Sequence, residues 1–342
     1  MKAVQLVEIG QPLQSRQVPT PSVGPREVAV RIRAAGICHS DVHYRNGTSA
    51  VGNLPQTLGH EIAGVIETVG SEVTEVTAGD RVCLHYLVTC GECYYCSTGN
   101  EQFCVNGKML GKHLDGGYAE FITVPARNAV PLADEVSFEQ GAVLMCSSST
   151  SFHALRKGRL KPGETVAVFG AGGLGMSAIQ LAQAFGAIQV LAVDINQSKL
   201  ELAERYGAVP VNASLGDPVA EIRRLTGGRG VDVAVEVIGL KRTMEQAVQS
   251  LAVLGRAVMV GISDEPVSID TYSELLCKEA EVIGSSDHLL WELPLLVEWV
   301  RQGKLDLSQV VTRTVPLDAE AINRAMDDLE QFGGTVRTVI TP

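Results

Sequence analysis

The sequence predicts an α/β protein of two parts, an antiparallel β-rich part followed by a doubly wound parallel sheet. Three observations carry this expectation. Val28–Ala34 reads Val-Ala-Val-Arg-Ile-Arg-Ala, the alternation of a half-buried strand. Thr165–Phe169 is instead a continuous apolar run, suited to a strand covered on both faces. From there on, strand-like and helix-like segments alternate, which implies parallel strands joined by right-handed crossovers.

Taken in order, the strand-like runs Glu61–Val69, Asp80–Leu87 and Tyr118–Val124 are separated by turns bearing glycine or proline, so the chain to about residue 145 reads as antiparallel. The texture changes after Cys146. Thr165–Phe169 leads into the turn Gly170–Gly175 and a helix to Phe185, closed by Gly186. Gln189–Asp194 is the next strand and Gln197–Tyr206 the next helix. Val231–Ile238, Lys241–Leu251 and Arg256–Ile262 repeat the strand–helix–strand rhythm. Leu289–Val300 and Asp318–Leu329 are amphipathic helices, with Ala319, Ile322, Ala325, Met326 and Leu329 on one face. Val336–Ile340 is a final strand.

Composition narrows the function. A chain of 342 residues is long enough for two cores, and 45% hydrophobic with 20% charged residues is ordinary for a soluble globular protein. The net charge of −11 argues against nucleic acid or an anionic membrane as partner. Glu8, Gln11, Gln14 and Arg16 interrupt any apolar signal-peptide core, and no apolar run approaches the ~18 residues of a membrane span. A cytoplasmic location is the expectation. There thiols stay reduced, so the eight cysteines read as metal ligands rather than disulfides.

Cys90, Cys93, Cys96 and Cys104 share one short run, Cys90-Gly-Glu-Cys93-Tyr-Tyr-Cys96-Ser-Thr-Gly-Asn-Glu-Gln-Phe-Cys104. Four thiolates at this spacing can wrap one tetrahedral cation, usually Zn²⁺, and leave it no open position; such an ion is structural. The alternatives are a metal-free reduced loop and a zinc ribbon for nucleic acid. Against the ribbon stand the spacing, unlike paired Cys-x-x-Cys knuckles, and the charge. Cys83 and Cys277 are assigned to packing.

Cys38 and His60, with Cys146 as a third soft ligand, make a different set: two sulfurs and one imidazole leave a tetrahedral position open, as a catalytic zinc requires. A single buried Cys or His is more often packing, so neither segment proves a ligand alone. Zinc lowers the pKa of a bound water from about 16 to about 7, and a comparable effect on an alcohol would make hydride departure feasible. Ser40 can touch the reacting oxygen and His43 can take its proton onward, although a serine here is also ordinary turn chemistry. Asp41 and Glu61 stand beside the ligands; one would orient His60 and the other tune the metal's charge, unless they serve as a turn cap and a surface charge.

The run Gly170-Ala171-Gly172-Gly173-Leu174-Gly175 ends a predicted strand and opens a predicted helix, the context that makes Gly-x-Gly-x-x-Gly a dinucleotide cradle. The helix N-terminus would offer N–H groups to the phosphates. Asp194, at the end of the next strand, would accept the ribose hydroxyls and repel a 2′-phosphate, favouring NAD over NADP. Lys199 could reach the same ribose or be a solvated helix lysine. The alternative for the turn is helix–strand packing without a ligand.

These motifs resemble the zinc-dependent medium-chain alcohol dehydrogenases, end to end. The likeness rests on Gly36-Ile-Cys38-His39-Ser40-Asp41, Gly59-His60-Glu61, the four-cysteine lobe, Asp115-Gly116-Gly117-Tyr118-Ala119-Glu120, and the Gly170–Gly175 turn with Asp194. It implies a GroES-like β-barrel over 1–147 with a zinc lobe at 88–106, a Rossmann domain over 148–284, and a segment 285–342 completing the first domain. It further implies that Cys38, His60 and Cys146 hold a catalytic zinc with Glu61 nearby, that Ser40 and His43 relay the proton, and that His39 lies against the pyrophosphate. Thr150 would pack the nicotinamide and Tyr86 would wall the substrate pocket. The expected cofactors are two Zn²⁺ per chain and NAD. The expected substrate is an alcohol with its aldehyde or ketone, and the expected assembly a homodimer or homotetramer. Ser147-Ser148-Ser149, His85-Tyr86-Leu87 and Gly284-Ser285-Ser286-Asp287-His288 depart from the family's usual pattern. A polyol or sugar dehydrogenase on the same scaffold is the alternative activity. A non-catalytic NADH-binding or zinc-storing protein is the more distant one.

Overall fold

The computed structural model describes residues 1–331 and 336–342, which group into two compact units: 1–146, 289–303 and 307–342 in the first, 147–288 and 304–306 in the second. In the first unit the spine is the Glu27–Ile37 strand. It pairs antiparallel with Glu61–Val69, with Phe121–Pro125 and with the C-terminal strand Arg337–Thr341. The predicted alternation holds from Val30 to Arg33, where Val30 and Ile32 are buried and Arg31 and Arg33 exposed; Val28 and Ala29 are both buried. From Ala34 to Ile37 every residue is buried, and there the strand pairs with Glu61–Ala63 on one side and Thr338–Ile340 on the other. This sheet has seven strands; a smaller one joins Lys2–Leu6 to Gln14–Gln17 and Gln56–Thr57. The Ala319–Glu330 helix buries Ala321, Ile322, Ala325 and Met326, and Asp318 caps it by accepting from the N–H groups of Glu320 and Ala321. Ala319 and Leu329, expected on the same face, are half-buried.

The second unit is built on six parallel strands in the order Val209–Asn212, Gln189–Asp194, Thr165–Phe169, Val231–Glu236, Leu251–Met259, Glu281–Gly284. Chain order therefore reverses between Thr165–Phe169 and Val231–Glu236, the switch point outside whose carboxyl ends ligands bind in open α/β sheets. Every residue of Thr165–Phe169 is buried, as its unbroken apolar run requires.

Three differences from expectation have local causes. The strand Val209–Asn212 and the helix Pro218–Leu225 were not anticipated: the first is short and carries Pro210, and the second is legible only by Asp217 as cap with proline following it. The strand expected at Arg256 begins at Leu251, with a bulge where Leu254 adopts φ 63° and the register against Val231–Val233 shifts. The passage back to the first unit, expected at 284/285, falls after His288, because Ser285 donates its N–H to Met259 and His288 bonds to Ser149. Among the described residues no helix is long and apolar enough to cross a membrane.

Candidate active site

Cys38 is the residue before the His39–Asn46 helix, and the helix start fixes it: Asp41 Oδ2 accepts the Cys38 N–H at 2.9 Å. His60 and Glu61 open the Glu61–Val69 strand just after the left-handed Gly59 (φ 93°). Cys146 lies in a π-helical turn, Leu144–Ser148, a geometry that recurs at functional sites. These segments bring one ligand atom each from Cys38, His60, Glu61 and Cys146 within 4.8 Å of one another, all in buried residues. Cys38 Sγ is 4.0 Å from Cys146 Sγ. Two sulfurs at ~2.3 Å from one tetrahedral zinc are about 3.8 Å apart, so the donor set fits the ion.

Asp41 is the hub of the surroundings. Its carboxylate accepts from Tyr118 Oη at 2.9 Å and from the Gly59 N–H at 3.3 Å, and Oδ1 stands 3.5 Å from His60 Nδ1. With Nδ1 turned to Asp41, the other ring nitrogen is available to a metal, the arrangement in which a carboxylate orients a histidine ligand. Burial disfavours the imidazolium, but Asp41 and Cys38 outweigh it and raise the His60 pKa to about 10. The Cys38 thiol is held well below its ordinary range by the hydrogen bond from Cys146 and, against burial, by His60. Burial, then the Asp41 charge, pushes the Tyr118 phenol well above its usual value.

Glu61 is fully buried and hydrogen-bonded through Oε1 to Arg337 of the last strand, whose Nη1 also donates to the Ile37 carbonyl at 3.4 Å. Its Oε2 has no hydrogen-bond partner, a buried orphan such as a cation would satisfy. Gly36 makes the room: a Cβ there would lie 1.9 Å from Glu61 Oε2. Arg337 and Tyr118 were not picked out from the sequence as site residues. The usable signal for Arg337 was an arginine inside the predicted strand Val336–Ile340, which, if buried, demands a counter-charge.

Ser40 Oγ lies 3.8 Å from Cys38 Sγ. His39 and His43 are half-buried on the same short helix with ring centroids 5.0 Å apart. Tyr86 is buried with its ring edge-on to His60 at 5.2 Å, so it walls the metal cluster directly. Burial and then Arg127 lower the pKa of the neighbouring His85 to about 3.

The four-cysteine run forms the second cluster. Cys93 and Cys96 sulfurs are 3.5 Å apart, Cys90 and Cys96 3.9 Å, and Cys90 and Cys104 3.5 Å, all near the tetrahedral spacing. Backbone N–H groups point at the sulfurs, Cys90 N at Cys104 Sγ (3.3 Å) and Cys93 N at Cys90 Sγ (3.4 Å). Those of Cys96 and Val105 bring the Cys93 thiol down to about 6. All eight cysteines are free; Cys83 is buried as expected, whereas Cys277, expected to pack, is exposed.

In the second unit the turn Gly170–Gly175 joins the Thr165–Phe169 strand to the Gly173–Ala184 helix. A Cβ on Gly175 would lie 1.7 Å from the Gly170 carbonyl oxygen, so helix and strand approach only with glycine there. At Gly172, the residue before the helix, a Cβ would meet nothing, which leaves the helix N-terminus open to an anion. Gly173 and Leu174 are the first helical residues, and Leu174 offers its carbonyl to Ser151 Oγ at 2.8 Å. Asp194 ends its strand half-buried, and its carboxylate accepts from the N–H groups of Ala171 (2.7 Å) and Asn196 (2.9 Å). Lys199 is half-buried in the first turn of the Gln197–Arg205 helix. Thr150 is buried in the Ser149–Lys157 helix.

Family models described as alcohol dehydrogenase GroES-like domain and zinc-binding dehydrogenase match residues 24–134 and 173–295. The NAD-dependent alcohol dehydrogenase of Sulfurisphaera tokodaii is 39% identical, with all of both chains covered. A solved structure of an NAD-dependent alcohol dehydrogenase superposes with a TM-score of 0.93 at 31% identity, again over all of both chains. That of 2R,3R-butanediol dehydrogenase from Bacillus subtilis has a TM-score of 0.91 at 29% identity, covering 100% of this chain and 99% of the other.

Proposed function

The chain belongs to the zinc-binding alcohol dehydrogenase family, and on that premise we propose that it transfers a hydride between NAD and a primary or secondary alcohol with its aldehyde or ketone. The observation that carries this reading is the buried set of Cys38, His60 and Cys146, with Glu61 in reach and bound to Arg337 through Oε1 alone. That set is one ligand short of closed. A zinc ion held there supplies a Lewis acid for the alcohol or carbonyl oxygen. Cys90, Cys93, Cys96 and Cys104 hold a second, structural zinc.

The chain's own residues do the rest. Asp41 keeps the His60 ring oriented. Ser40, next to Cys38, is assigned to hold the hydroxyl proton, and the half-buried His43 to accept it and release it to water. Tyr86 limits the room beside the metal. In the second unit Gly170, Gly172, Gly173, Leu174 and Gly175 cradle the pyrophosphate, Asp194 and Lys199 hold the adenosine ribose, and Thr150 packs the nicotinamide. His39 is assigned to the pyrophosphate. Asp194→Gly is expected to lower the preference for NAD over NADP by about tenfold or more, through loss of repulsion towards a 2′-phosphate.

The test is NADH formation by the purified protein with a panel of simple alcohols and polyols. Turnover of simple alcohols is the expected result. Two bound zincs without any alcohol-dependent NADH signal would overturn it. Turnover confined to polyols would favour the second reading, a polyol or sugar dehydrogenase, which draws on the likeness to the butanediol enzyme. Cysteine as third ligand, rather than a carboxylate, favours simple alcohols.

A cytoplasmic location is supported by eight free thiols. A homodimer or homotetramer is supported by the Glu281–Gly284 strand, which among the described residues pairs on one side only. Light scattering of the purified protein would show it; a monomer would remove the proposal.

A further inference from the structure

Two segments that stood out in the sequence as departures from the family pattern, Ser147-Ser148-Ser149 and Gly284-Ser285-Ser286-Asp287-His288, meet in the fold. Ser149 Oγ and His288 Nδ1 share a hydrogen bond at 3.0 Å, and both residues are fully buried. The pair also closes the second unit on itself. That unit's main segment begins at Ser147 and ends at His288, so the bond joins the two ends of the segment.

Other features mark the same place. Asp287, just before His288, adopts φ 52°, a left-handed conformation that aspartate tolerates better than most residues other than glycine. Two further serines fasten the same helix: Ser148 Oγ to Ser177 Oγ at 3.0 Å, and Ser151 Oγ to the Leu174 carbonyl at 2.8 Å. Both partners belong to the helix that follows the glycine turn. Residues 285–288 follow the carboxyl end of the parallel strand Glu281–Gly284, and Ser285 N–H donates to the carboxyl end of its neighbour at Met259. That edge is where ligands of open α/β sheets bind. Buried polar groups contribute little net stability, but they fix which groups face one another.

We propose that Ser149 and His288 are positioning residues for the dinucleotide. Their hydrogen bond sets the first turn of the Ser149–Lys157 helix, which carries Thr150, against the segment 285–287, and so preforms the nicotinamide end of the cofactor site. This rests on the reading of the second unit as NAD-binding. Neither residue touches reacting atoms; both act through Thr150 and the 285–287 backbone.

The experiment uses the full-length, zinc-loaded protein without alcohol and measures the NADH dissociation constant by fluorescence, alongside thermal unfolding. The variants are Ser149→Ala, His288→Leu, His288→Asn, and Ser149→Ala with His288→Leu. Ser149→Ala and His288→Leu are each expected to weaken NADH binding about tenfold, the scale of one lost buried hydrogen bond. The double variant is expected to be no weaker than either single one. His288→Asn, whose amide nitrogen can stand where Nδ1 was, is expected to regain most of the loss, which a merely structural role would not predict. If His288→Leu does not fold, Ser149→Ala and His288→Asn alone decide. Wild-type protein that binds NADH, with Ser149→Ala and His288→Leu binding it within about twofold as well, would overturn this proposal alone; so would additive losses in the double variant. Wild-type protein that binds no NADH would overturn the functional reading and this proposal with it.

Discussion

The two cysteine-bearing sites of the first unit, one of four thiols and one of two thiols with an imidazole and a carboxylate, are built in opposite ways. The closed cluster draws all four ligands from Cys90–Cys104, and each of them is half-buried. Local turns and backbone N–H groups aimed at sulfur suffice to organise it. The open cluster draws on residues 38, 60, 61 and 146, and its partner Arg337 comes from the last strand. Every residue of the cluster is buried, and further residues surround it: Asp41, held by Tyr118, stands beside His60 and accepts from the Cys38 N–H, and Glu61 is bound to Arg337. A structural ion needs only a closed shell, which a short loop provides. A reactive ion needs a vacant corner in a site closed to bulk water, and only a folded core supplies that.

Substitution at the two clusters should separate these roles. The largest effect is expected for Cys38→Ser: turnover falls by more than about 10³-fold, beyond the 10–100-fold typical of groups that merely support a metal ligand, while NADH binding persists. Retained turnover would remove Cys38 from the ligand set. Cys96→Ser should act on stability instead, lowering the unfolding temperature by about 5–10 °C while leaving turnover within about twofold below that temperature. Loss of activity in the folded Cys96→Ser protein would erase the distinction between the sites.

Smaller changes sharpen it. Asp41→Asn keeps the shape beside His60 but removes the charge, and should weaken zinc retention and turnover about 10–100-fold, measured by chelator competition. Zinc held as tightly as in the wild type would show that the ring is oriented by packing alone. The smallest effect concerns acid stability away from both clusters. Burial opposes ionisation of Asp232, but Arg229 and Thr165 bring its pKa from 3.8 down to about 2. Between those values the unfolded chain binds a proton that the folded chain does not, so stability falls as pH falls through that window. Asp232→Asn should remove about 1 kcal/mol at neutral pH, discounted for its exposure, and flatten acid unfolding below pH ~4 without loss of zinc. Unchanged acid unfolding would assign that sensitivity elsewhere.

Much of this molecule was legible residue by residue. Alternation over Val28–Ala34 located the Glu27–Ile37 strand, a strand-like run between turns located Glu61–Val69, and a continuous run located Thr165–Phe169, because side-chain pattern records which faces are buried. The four-cysteine cluster was readable for a related reason: its ligands are neighbours in sequence, and short-range geometry brings them together. The Val209–Asn212 strand was not readable, since it is brief, proline-bearing and defined mainly by its partner.

What the sequence by itself determined is therefore the inventory and the local frames: strands, helix starts, the glycine turn and the closed cluster. Tertiary structure alone decided the long-range pairs: which acid stands beside His60 Nδ1, that Glu61 answers to Arg337, and that Ser149 meets His288. Hydrogen bonds and ion pairs become specific only when burial removes water as the competing partner, and burial of this kind is a property of the assembled core.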